Sequence, residues 1–470
     1  MPDLPTLWQA VSAGDISSTQ LLLGNGADIN SIDDQSGTAY TALHYASAQG
    51  QNAVVRLLLQ HNADANIFGL DGMTALHLAV QNGHAELVQA LLEHGIEVNQ
   101  QAQYDRLTPL HLAAKAGNRT VLRVLLCHGA DVSAVDVVGN TALHFSANNG
   151  DFDVTAILIA FGADAHARNE VQESPLHVAG SWGNERVVRF LVEHDVDPWT
   201  GNAFGGTPLE YAIREGHENV VRELLSQDRF PIPQRHGESA LVAAAGSWQS
   251  TIVELLLHMG YDANSSKVFS QPHRVPMMRG QFTTIAELGQ QFELCSGLQG
   301  PWSALHAAVY CCNQVISRVL LDNGANPDSV DACGWTPLHS AASKGLNMVS
   351  LLFEYGADAN IRDTQGCIPL HWAVVGSVVR AQAGGWSLQG RNTTAQQEAI
   401  LHLLRYTSDI NTQNNDGQTA LHWAVRYGDR TIVGQLIEQD ANPMVTDVHG
   451  RTPLDWAIEC DRRDLLDMLA

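Results

Sequence analysis

Histidine is the residue type whose abundance and spacing first suggest chemistry in this sequence. The chain has 21 histidines, and an imidazole can bind a metal ion or exchange a proton near neutral pH. Neighbouring copies in the regular series fall one repeat apart, which is about 10 Å for packed helices, whereas zinc ligands lie about 2 Å from the metal. We therefore expect structural hydrogen bonds rather than a shared metal site. Nine histidines occupy the fourth position of a recurring tetrapeptide: His44, His77, His111, His144, His177, His306, His339, His371 and His422.

Other motifs with a known chemical role are absent from the sequence. It contains no His-Glu-x-x-His, no Gly-x-x-x-x-Gly-Lys-Ser/Thr phosphate loop and no Gly-x-Ser-x-Gly. Cys311 and Cys312 are adjacent, but no second thiol pair completes a metal site, and the seven scattered cysteines favour a reducing compartment. We expect no enzymatic activity, no metal and no cofactor. The alternative is an enzyme or cofactor-binding protein that uses the irregular middle of the chain.

The composition argues against several classes of partner. The chain has 470 residues with 26 basic and 50 acidic side chains, a net charge of −24, a hydrophobic fraction of 45% and a mean hydropathy of −0.10. Such acidity disfavours direct binding to nucleic acid or to an anionic membrane surface. No apolar run approaches the roughly 20 residues of a membrane-spanning helix, and the N-terminal residues contain no basic signal-peptide region. We expect a cytoplasmic or nuclear protein that is not secreted.

A tetrapeptide of the form Thr/Ser-Pro/Ala-Leu-His recurs along the chain. The intervals are 32 to 34 residues, except for 64 residues after Ser239 and 51 residues after Ile368, and each longer interval is one period with an insertion. A glycine nine residues later and a Gly-Ala-Asp type triplet keep the same phase. Full copies begin at Thr41, Thr74, Thr108, Thr141, Ser174, Ser303, Thr336 and Thr419, and degenerate copies begin at Thr207, Ser239, Ile368 and Thr452.

Each period predicts two short helices. The threonine caps the first helix, and a proline is tolerated in its first turn. The glycine, for example Gly83, accepts a positive φ and ends that helix. A second apolar helix follows, such as the one containing residues 54–59, and it stops at the Gly-Ala-Asp turn. One helical pair cannot bury its own apolar face, whereas stacked pairs form a continuous core.

This combination resembles the ankyrin-repeat family over nearly the whole chain. The resemblance implies an all-α solenoid of stacked helix-turn-helix units with β-hairpin fingers, interrupted by two insertions, and it implies a structural hydrogen-bonding role for the tetrapeptide histidine. We count thirteen repeats including caps. They divide into an N-terminal cap at 1–35, repeats two to eight at 36–264, an insertion with a short amphipathic helix at 265–300, and repeats nine to thirteen at 301–470, with a loop insertion at 376–394 and a C-terminal cap at 447–470.

The irregular repeats leave two interpretations open. The insertion at 265–300 is either a passive loop or a docking element beside the groove, and the insertion at 376–394 is interpreted as a flexible loop. Cys312 and Asp461 replace the glycine between the two helices, so each must accept an unusual backbone conformation. We expect the repeats that begin at Ser239 and Ser303 to be the least regular, and the chain could divide there into two arrays.

In ankyrin-repeat proteins the concave face, made of hairpin tips and first helices, binds partner proteins. Large aromatic residues at positions not required for folding are candidate anchors for such a partner. Trp372, Trp423 and Trp456 share one position after the tetrapeptide, which we interpret as a packing position of the first helix rather than a groove platform. The candidate partner-binding residues are Phe68, Met73, Trp182, Trp302, Tyr310, Trp335, Lys344, Arg426 and Tyr427.

The resemblance therefore implies a non-enzymatic scaffold or adaptor for other proteins. The acidic excess favours partners with neutral or basic surfaces. The alternative is a transcriptional co-regulator or inhibitor that acts by binding a transcription factor or complex.

Overall fold

The computed structural model describes residues 6–33, 37–226, 234–268, 301–342, 345–375, 394–427 and 430–470. The chain divides into two compact units, residues 1–231 and residues 232–470. Within each unit, nearly all of the regular structure consists of short helices that follow one another in pairs.

The described part of the first unit contains seven helix pairs. In most pairs the first helix begins directly after the threonine or serine of the repeated tetrapeptide. The helices are α1 Leu7–Ser12, α2 Ile16–Gly24, α3 Ala42–Ala48, α4 Asn52–Gln60, α5 Ala75–Gln81, α6 Ala85–Glu93, α7 Pro109–Lys115, α8 Arg119–Cys127, α9 Ala142–Asn149, α10 Phe152–Ala160, α11 Pro175–Ser181, α12 Glu185–Glu193, α13 Pro208–Glu215 and α14 Glu218–Leu225.

The second unit repeats this pattern and adds one short antiparallel strand pair. Its elements are α15 Gln234–Gly246, α16 Ser250–His258, β1 Ser266–Val268, β2 Pro301–Ser303, α17 Ala304–Tyr310, α18 Gln314–Asp322, α19 Pro337–Ala342, α20 Leu346–Glu354, α21 Pro369–Val375, α22 Thr394–Tyr406, α23 Ala420–Tyr427, α24 Arg430–Glu438, α25 Pro453–Glu459, a 3₁₀ turn at Arg463–Leu465 and α26 Leu466–Leu469.

The strand pair corrects part of the prediction for the first insertion. We predicted a loop from Ser265 onward, but β1 pairs with β2, and Lys267 lies opposite Trp302. Backbone pairing with residues far along the chain gives these three residues an extended conformation that their own sequence does not demand. The amphipathic helix predicted within the first insertion and nearly all of the second insertion, residues 376–393, lie outside the described residues.

The tetrapeptide forms the first turn of each regular repeat. In α7 the Thr108 hydroxyl accepts a hydrogen bond from the His111 N–H at 3.4 Å, and His111 Nδ1 accepts one from the Thr108 N–H at 3.0 Å. This reciprocal arrangement satisfies backbone donors that a helix N-terminus otherwise leaves unpaired. The same capping box occurs at the start of α3, α5, α9 and α11.

The turn between the two helices requires a left-handed backbone at the residue nine positions after the threonine. Gly83 has a φ of 78° there. Cys312 and Asp461, which replace the glycine, have φ values of 56° and 53°, so the predicted unusual conformation is confirmed. Trp248 takes the same position with a φ of 64°, a third departure that we did not predict.

The core of each unit lies between its stacked helices. Leu76, Leu91 and Leu122 are fully buried in the first unit, and burying a leucine side chain contributes about 1.5–3 kcal/mol. Successive first helices pack on one another, as α5 does on α7 and α7 on α9, and second helices such as α6 and α8 do the same. The first helices of the second unit follow the same rule from α15 to α25. The predicted all-α solenoid of stacked pairs is confirmed.

Candidate partner-binding surface

The tetrapeptide histidines lie at the boundaries between repeats. His111 Nε2 is 3.1 Å from the carbonyl oxygen of Asn140, the residue that precedes the next threonine. His306 Nε2 is likewise 3.0 Å from the carbonyl oxygen of Trp335. A carbonyl only accepts, so Nε2 must donate, and the backbone N–H at Nδ1 only donates, so Nδ1 must accept. The histidine is therefore held as one neutral tautomer, which confirms its predicted structural role.

Burial keeps these imidazoles neutral. Removal from water lowers the pKa of His177, His306, His339 and His371 to about 4, because the charged form loses its hydration. The same cause lowers the pKa of His44, His77, His111, His144 and His422. Within the described ranges, no three His, Cys, Asp or Glu side chains lie close enough to hold a metal ion.

Aromatic rings from successive repeats meet in the second unit. We call Trp335, Trp372, Trp423, Tyr427 and Trp456 the aromatic row. The ring centroids of Trp335 and Trp372 are 4.6 Å apart, and those of Trp372 and Trp423 are 5.3 Å apart at a right angle. Tyr427 lies 6.5 Å from Trp423. Tilted and edge-to-face contacts of this kind stabilise aromatic pairs, so the first four rings form a continuous set of contacts, and Arg426, which lies over both Tyr427 and Trp456, joins Trp456 to them.

Hydrogen bonds from the indole nitrogens orient the tryptophan rings. Trp372 Nε1 donates to Asp363 at 2.9 Å, and Trp456 Nε1 donates to Asp447 at 3.0 Å. Trp423 Nε1 donates to the side-chain oxygen of Gln418. Each acceptor lies on the hairpin that precedes the helix bearing its tryptophan, so the hairpins determine the direction of the rings.

The carboxylate of Asp447 is the most strongly perturbed acid of this surface. Burial alone disfavours its charged form, but hydrogen bonds from Arg451 and Trp456 outweigh that effect and hold the pKa of Asp447 well below its usual range. The Arg451 guanidinium also lies 2.8 Å from this carboxylate. Asp447 therefore stays ionised and keeps Trp456 in place.

Two arginines lie over the C-terminal end of the aromatic row. The guanidinium carbon of Arg426 is 5.3 Å from the Tyr427 ring centroid and 5.6 Å from that of Trp456. Arg451 lies 5.3 Å from the Trp456 centroid. These distances suit cation–π attraction, and the side chain of Arg426 is exposed.

Three of the candidate residues fall on or beside the aromatic row. Trp335 and Tyr427 belong to it, and Arg426 lies over its end. Trp302 and Tyr310 form a separate pair in the same unit, with ring centroids 5.7 Å apart. Lys344 lies outside the described residues.

The candidates in the first unit are not brought together by the fold in the same way. Trp182, at the end of α11, is 58% exposed. Phe68 is half-buried on a hairpin. Met73 packs against the hydrophobic core of the first unit, and its carbonyl oxygen lies 3.2 Å from His44 Nε2. Met73 therefore has an evident structural role.

Our interpretation of the three equivalent tryptophans was incomplete. Trp456 is buried, at 4% exposure, as a packing position requires. Trp372 and Trp423 are only half-buried, so each presents part of its ring to solvent. The recurrence of tryptophan at one position in consecutive repeats, with Trp335 just before them in the array, was evident in the sequence, but it does not determine how much of each ring stays exposed.

Comparison with known proteins places these observations in a family context. A family model described as ankyrin repeats (3 copies) matches residues 7–102, 69–136, 110–202, 143–232, 200–267, 286–363, 305–381 and 392–470.

Within the described ranges, no helix has both the length and the apolar character that crossing a membrane requires.

Several curated proteins are similar to part of the chain. Human inversin is 29% identical over 174 residues, which cover 33% of this chain and 16% of inversin. The transcription factor SWI6 of Pyricularia oryzae is 29% identical over 192 residues, covering 34% of this chain and 22% of that protein. Human SH3 and multiple ankyrin repeat domains protein 2 is 28% identical over 169 residues, covering 36% and 8%. The similarity thus spans less than a quarter of each relative.

Proposed function

Because this chain belongs to the ankyrin-repeat family, we propose that it is a non-enzymatic scaffold or adaptor that holds other proteins against the hairpins and first helices of its repeats. Ankyrin repeats are protein-interaction elements, and the family is typically non-enzymatic. The proposed partners have neutral or basic surfaces, since the chain has a net charge of −24. The proposed location is the cytoplasm, the nucleus or both.

The aromatic row is the observation that supports this proposal most directly. Half-buried rings that are already oriented by hydrogen bonds lose little conformational freedom when a partner binds. Tryptophan, tyrosine and arginine are also the side chains that most often dominate the energy of protein interfaces. Trp335, Trp423, Tyr427 and Arg426 provide all three types on one surface.

The test is a quantitative capture experiment with the full chain. The combined variant Trp335→Ala, Arg426→Ala and Tyr427→Ala should lose its captured proteins, because each such anchor typically contributes about 2 kcal/mol, or roughly 30-fold in affinity. The matched control is Ile458→Ala, which removes another exposed apolar side chain of the second unit, 63% exposed on α25.

Circular dichroism of both variants verifies that they are folded. A folded triple variant that captures every partner as strongly as the unaltered chain would show that the aromatic row is not the binding surface.

A second candidate function is that of a transcriptional co-regulator. The similarity to the transcription factor SWI6 of Pyricularia oryzae is the observation that favours it. A tagged chain should then enter the nucleus and co-purify with a transcription factor. A signal confined to the cytosol under all growth conditions would count against this function and leave the scaffold proposal intact.

A further inference from the structure

The hairpin tips of the first unit display a series of exposed apolar side chains. We call Leu70, Tyr104, Val138, Val171 and Phe204 the apolar tip row. They are 61%, 62%, 48%, 38% and 60% exposed, and they come from five consecutive hairpins. Leu70 and Tyr104 lie four residues before the threonine of the next tetrapeptide, and the other three lie three residues before its threonine or serine. Scattered exposed apolar residues are ordinary on a protein surface, whereas one on each tip of neighbouring repeats marks an interaction site.

Backbone hydrogen bonds join each tip to the next. The Val137 N–H donates to the Asp105 carbonyl at 2.9 Å, the Glu170 N–H to the Val138 carbonyl at 3.0 Å, and the Ala203 N–H to the Val171 carbonyl at 2.9 Å. The tips that carry Leu70 and Tyr104 are joined at different positions, by a bond from the Gln103 N–H to the Gly72 carbonyl at 3.0 Å. These bonds fix the spacing of successive tips at one repeat, and the apolar side chain occupies one of two adjacent positions on each tip.

Side-chain to backbone hydrogen bonds within the hairpins also hold the tips in place. Asp136 accepts hydrogen bonds from the N–H groups of Val138 and Asn140 at 3.0 and 2.7 Å. Asn202 accepts a hydrogen bond from the Phe204 N–H at 3.0 Å. Asx turns of this kind restrict the backbone, so the exposed side chains lie on a preformed surface.

The hairpin does not require apolar residues at its tip. In the second unit the corresponding positions of the described tips are Ala332–Cys333, Thr364–Gln365, Asn415–Asp416 and Val448–His449, so two of these four tips carry only polar residues. The Asn415 N–H still donates to the Gln365 carbonyl at 2.9 Å, so polar residues form the same link between tips. The link between tips therefore does not require apolar side chains, and the exposed apolar side chains on five consecutive tips of the first unit are available for binding.

Acidic groups accompany the apolar tip row. Glu170 and Asp71 are exposed at the tips, and residues 1–231 contain 27 acidic and 11 basic side chains. Arg106 donates to Gln101 at 3.1 Å and Arg168 donates to the Gln172 carbonyl at 2.7 Å; both acceptors are neutral, so the acidic excess belongs to the whole unit and not to the tips alone. An anionic lipid surface or a second copy of this acidic chain would be repelled.

We propose that the apolar tip row docks a polypeptide segment that combines large apolar side chains with lysine or arginine. The apolar side chains of the segment would cover the tips, and its cations would pair with the flanking carboxylates. This inference rests on the proposed function in taking the chain to bind polypeptides, but it concerns a different unit and different residues from the aromatic row.

The test measures fluorescence anisotropy of short labelled peptides with the full chain. The first peptide alternates leucine or phenylalanine with lysine, the second replaces lysine by glutamate, and the third replaces the apolar residues by serine. We expect the first peptide to bind at least about 10-fold more tightly than the other two, with an affinity that falls as salt is added. Equal binding of the first and second peptides would overturn the proposal.

Two variants locate the site of binding. Substituting Leu70→Ser, Tyr104→Ser, Val138→Ser and Phe204→Ser together should weaken the first peptide by about 10-fold or more, and Glu170→Lys should weaken it to a smaller extent. The control Val448→Ser removes an exposed apolar tip of the second unit, 62% exposed, and should leave binding unchanged. Unchanged affinity in the fourfold variant would overturn the proposal.

The aromatic-row variant separates this inference from the proposed function. It should bind the first peptide normally, since its substitutions lie in the second unit. If the fourfold tip variant keeps its peptide affinity while the aromatic-row variant loses captured proteins, only the inference about the tips fails.

Discussion

Each tetrapeptide histidine uses one ring nitrogen as a donor and the other as an acceptor, and a second proton on the ring would remove the acceptor. In the unfolded chain these histidines have an ordinary pKa near 6.5, whereas burial lowers it to about 4 for His306 and His339. As the pH falls below 6.5, the unfolded state binds protons first. The stabilising contribution is therefore complete above pH 6.5 and is lost between pH 6.5 and 4.

We accordingly predict that the urea midpoint of unfolding is nearly constant from pH 8 to pH 7 and falls steadily from pH 6.5 to pH 4. The double variant His306→Gln and His339→Gln should be less stable at neutral pH and should show a shallower loss on acidification. Urea titrations monitored by circular dichroism measure both effects. A midpoint that is constant down to pH 4.5 would contradict the prediction.

The left-handed turn residues give a second prediction for single side chains. Trp248 has a φ of 64°, a conformation that costs a non-glycine residue about 1–2 kcal/mol. Trp248→Gly should raise the free energy of unfolding by about 0.5–1 kcal/mol, since glycine relieves the strain but adds freedom to the unfolded chain.

The matched control is Gly83→Ala, at the equivalent turn position of another repeat. A β-carbon there would lie 2.8 Å from Asn118 Nδ2 at a φ of 78°, so the free energy of unfolding should fall. Thermal unfolding of both variants provides the measurement, and a loss of stability in Trp248→Gly would refute the assignment of strain.

At the scale of helices and hairpins, stability depends on the leucines between stacked elements. Leu122 of α8 is fully buried, so Leu122→Ala should lower the free energy of unfolding by about 3 kcal/mol through lost burial and a residual cavity. Leu401→Ala, at a position 37% exposed on α22, should change it by less than about 1 kcal/mol. Denaturant titration compares the two, and equal losses would contradict the proposed core.

The elements also show what could be predicted from the sequence. The helix pairs were predictable because Thr108, His111 and the following glycine are local signals that act within one repeat. Strand β1 was not, because its partner β2 lies beyond a long insertion. The exposure of Trp372 and Trp423 was missed for a similar reason, since it depends on how far the neighbouring hairpins cover the rings.

At the scale of the whole molecule, the excess of acidic side chains is the dominant property. A net charge of −24 opposes the compact state through self-repulsion, and salt screens that repulsion. We predict that sodium chloride raises the thermal midpoint of the full chain at neutral pH. Differential scanning calorimetry over a range of salt concentrations measures it. A midpoint that falls with added salt would mean that attractive ion pairs outweigh the repulsion.

The hydrogen bond from each tetrapeptide histidine to the next repeat has a practical consequence for spectroscopy. Because each described boundary of this kind contains an imidazole with a defined tautomer, the nitrogen chemical shifts of these rings can report on individual boundaries. Opening of a boundary would release Nε2 from its carbonyl and allow the two tautomers to exchange. Nitrogen-15 labelling of histidine alone therefore reveals which boundaries between repeats open when the chain is stretched, heated or bound by a partner, without any introduced probe.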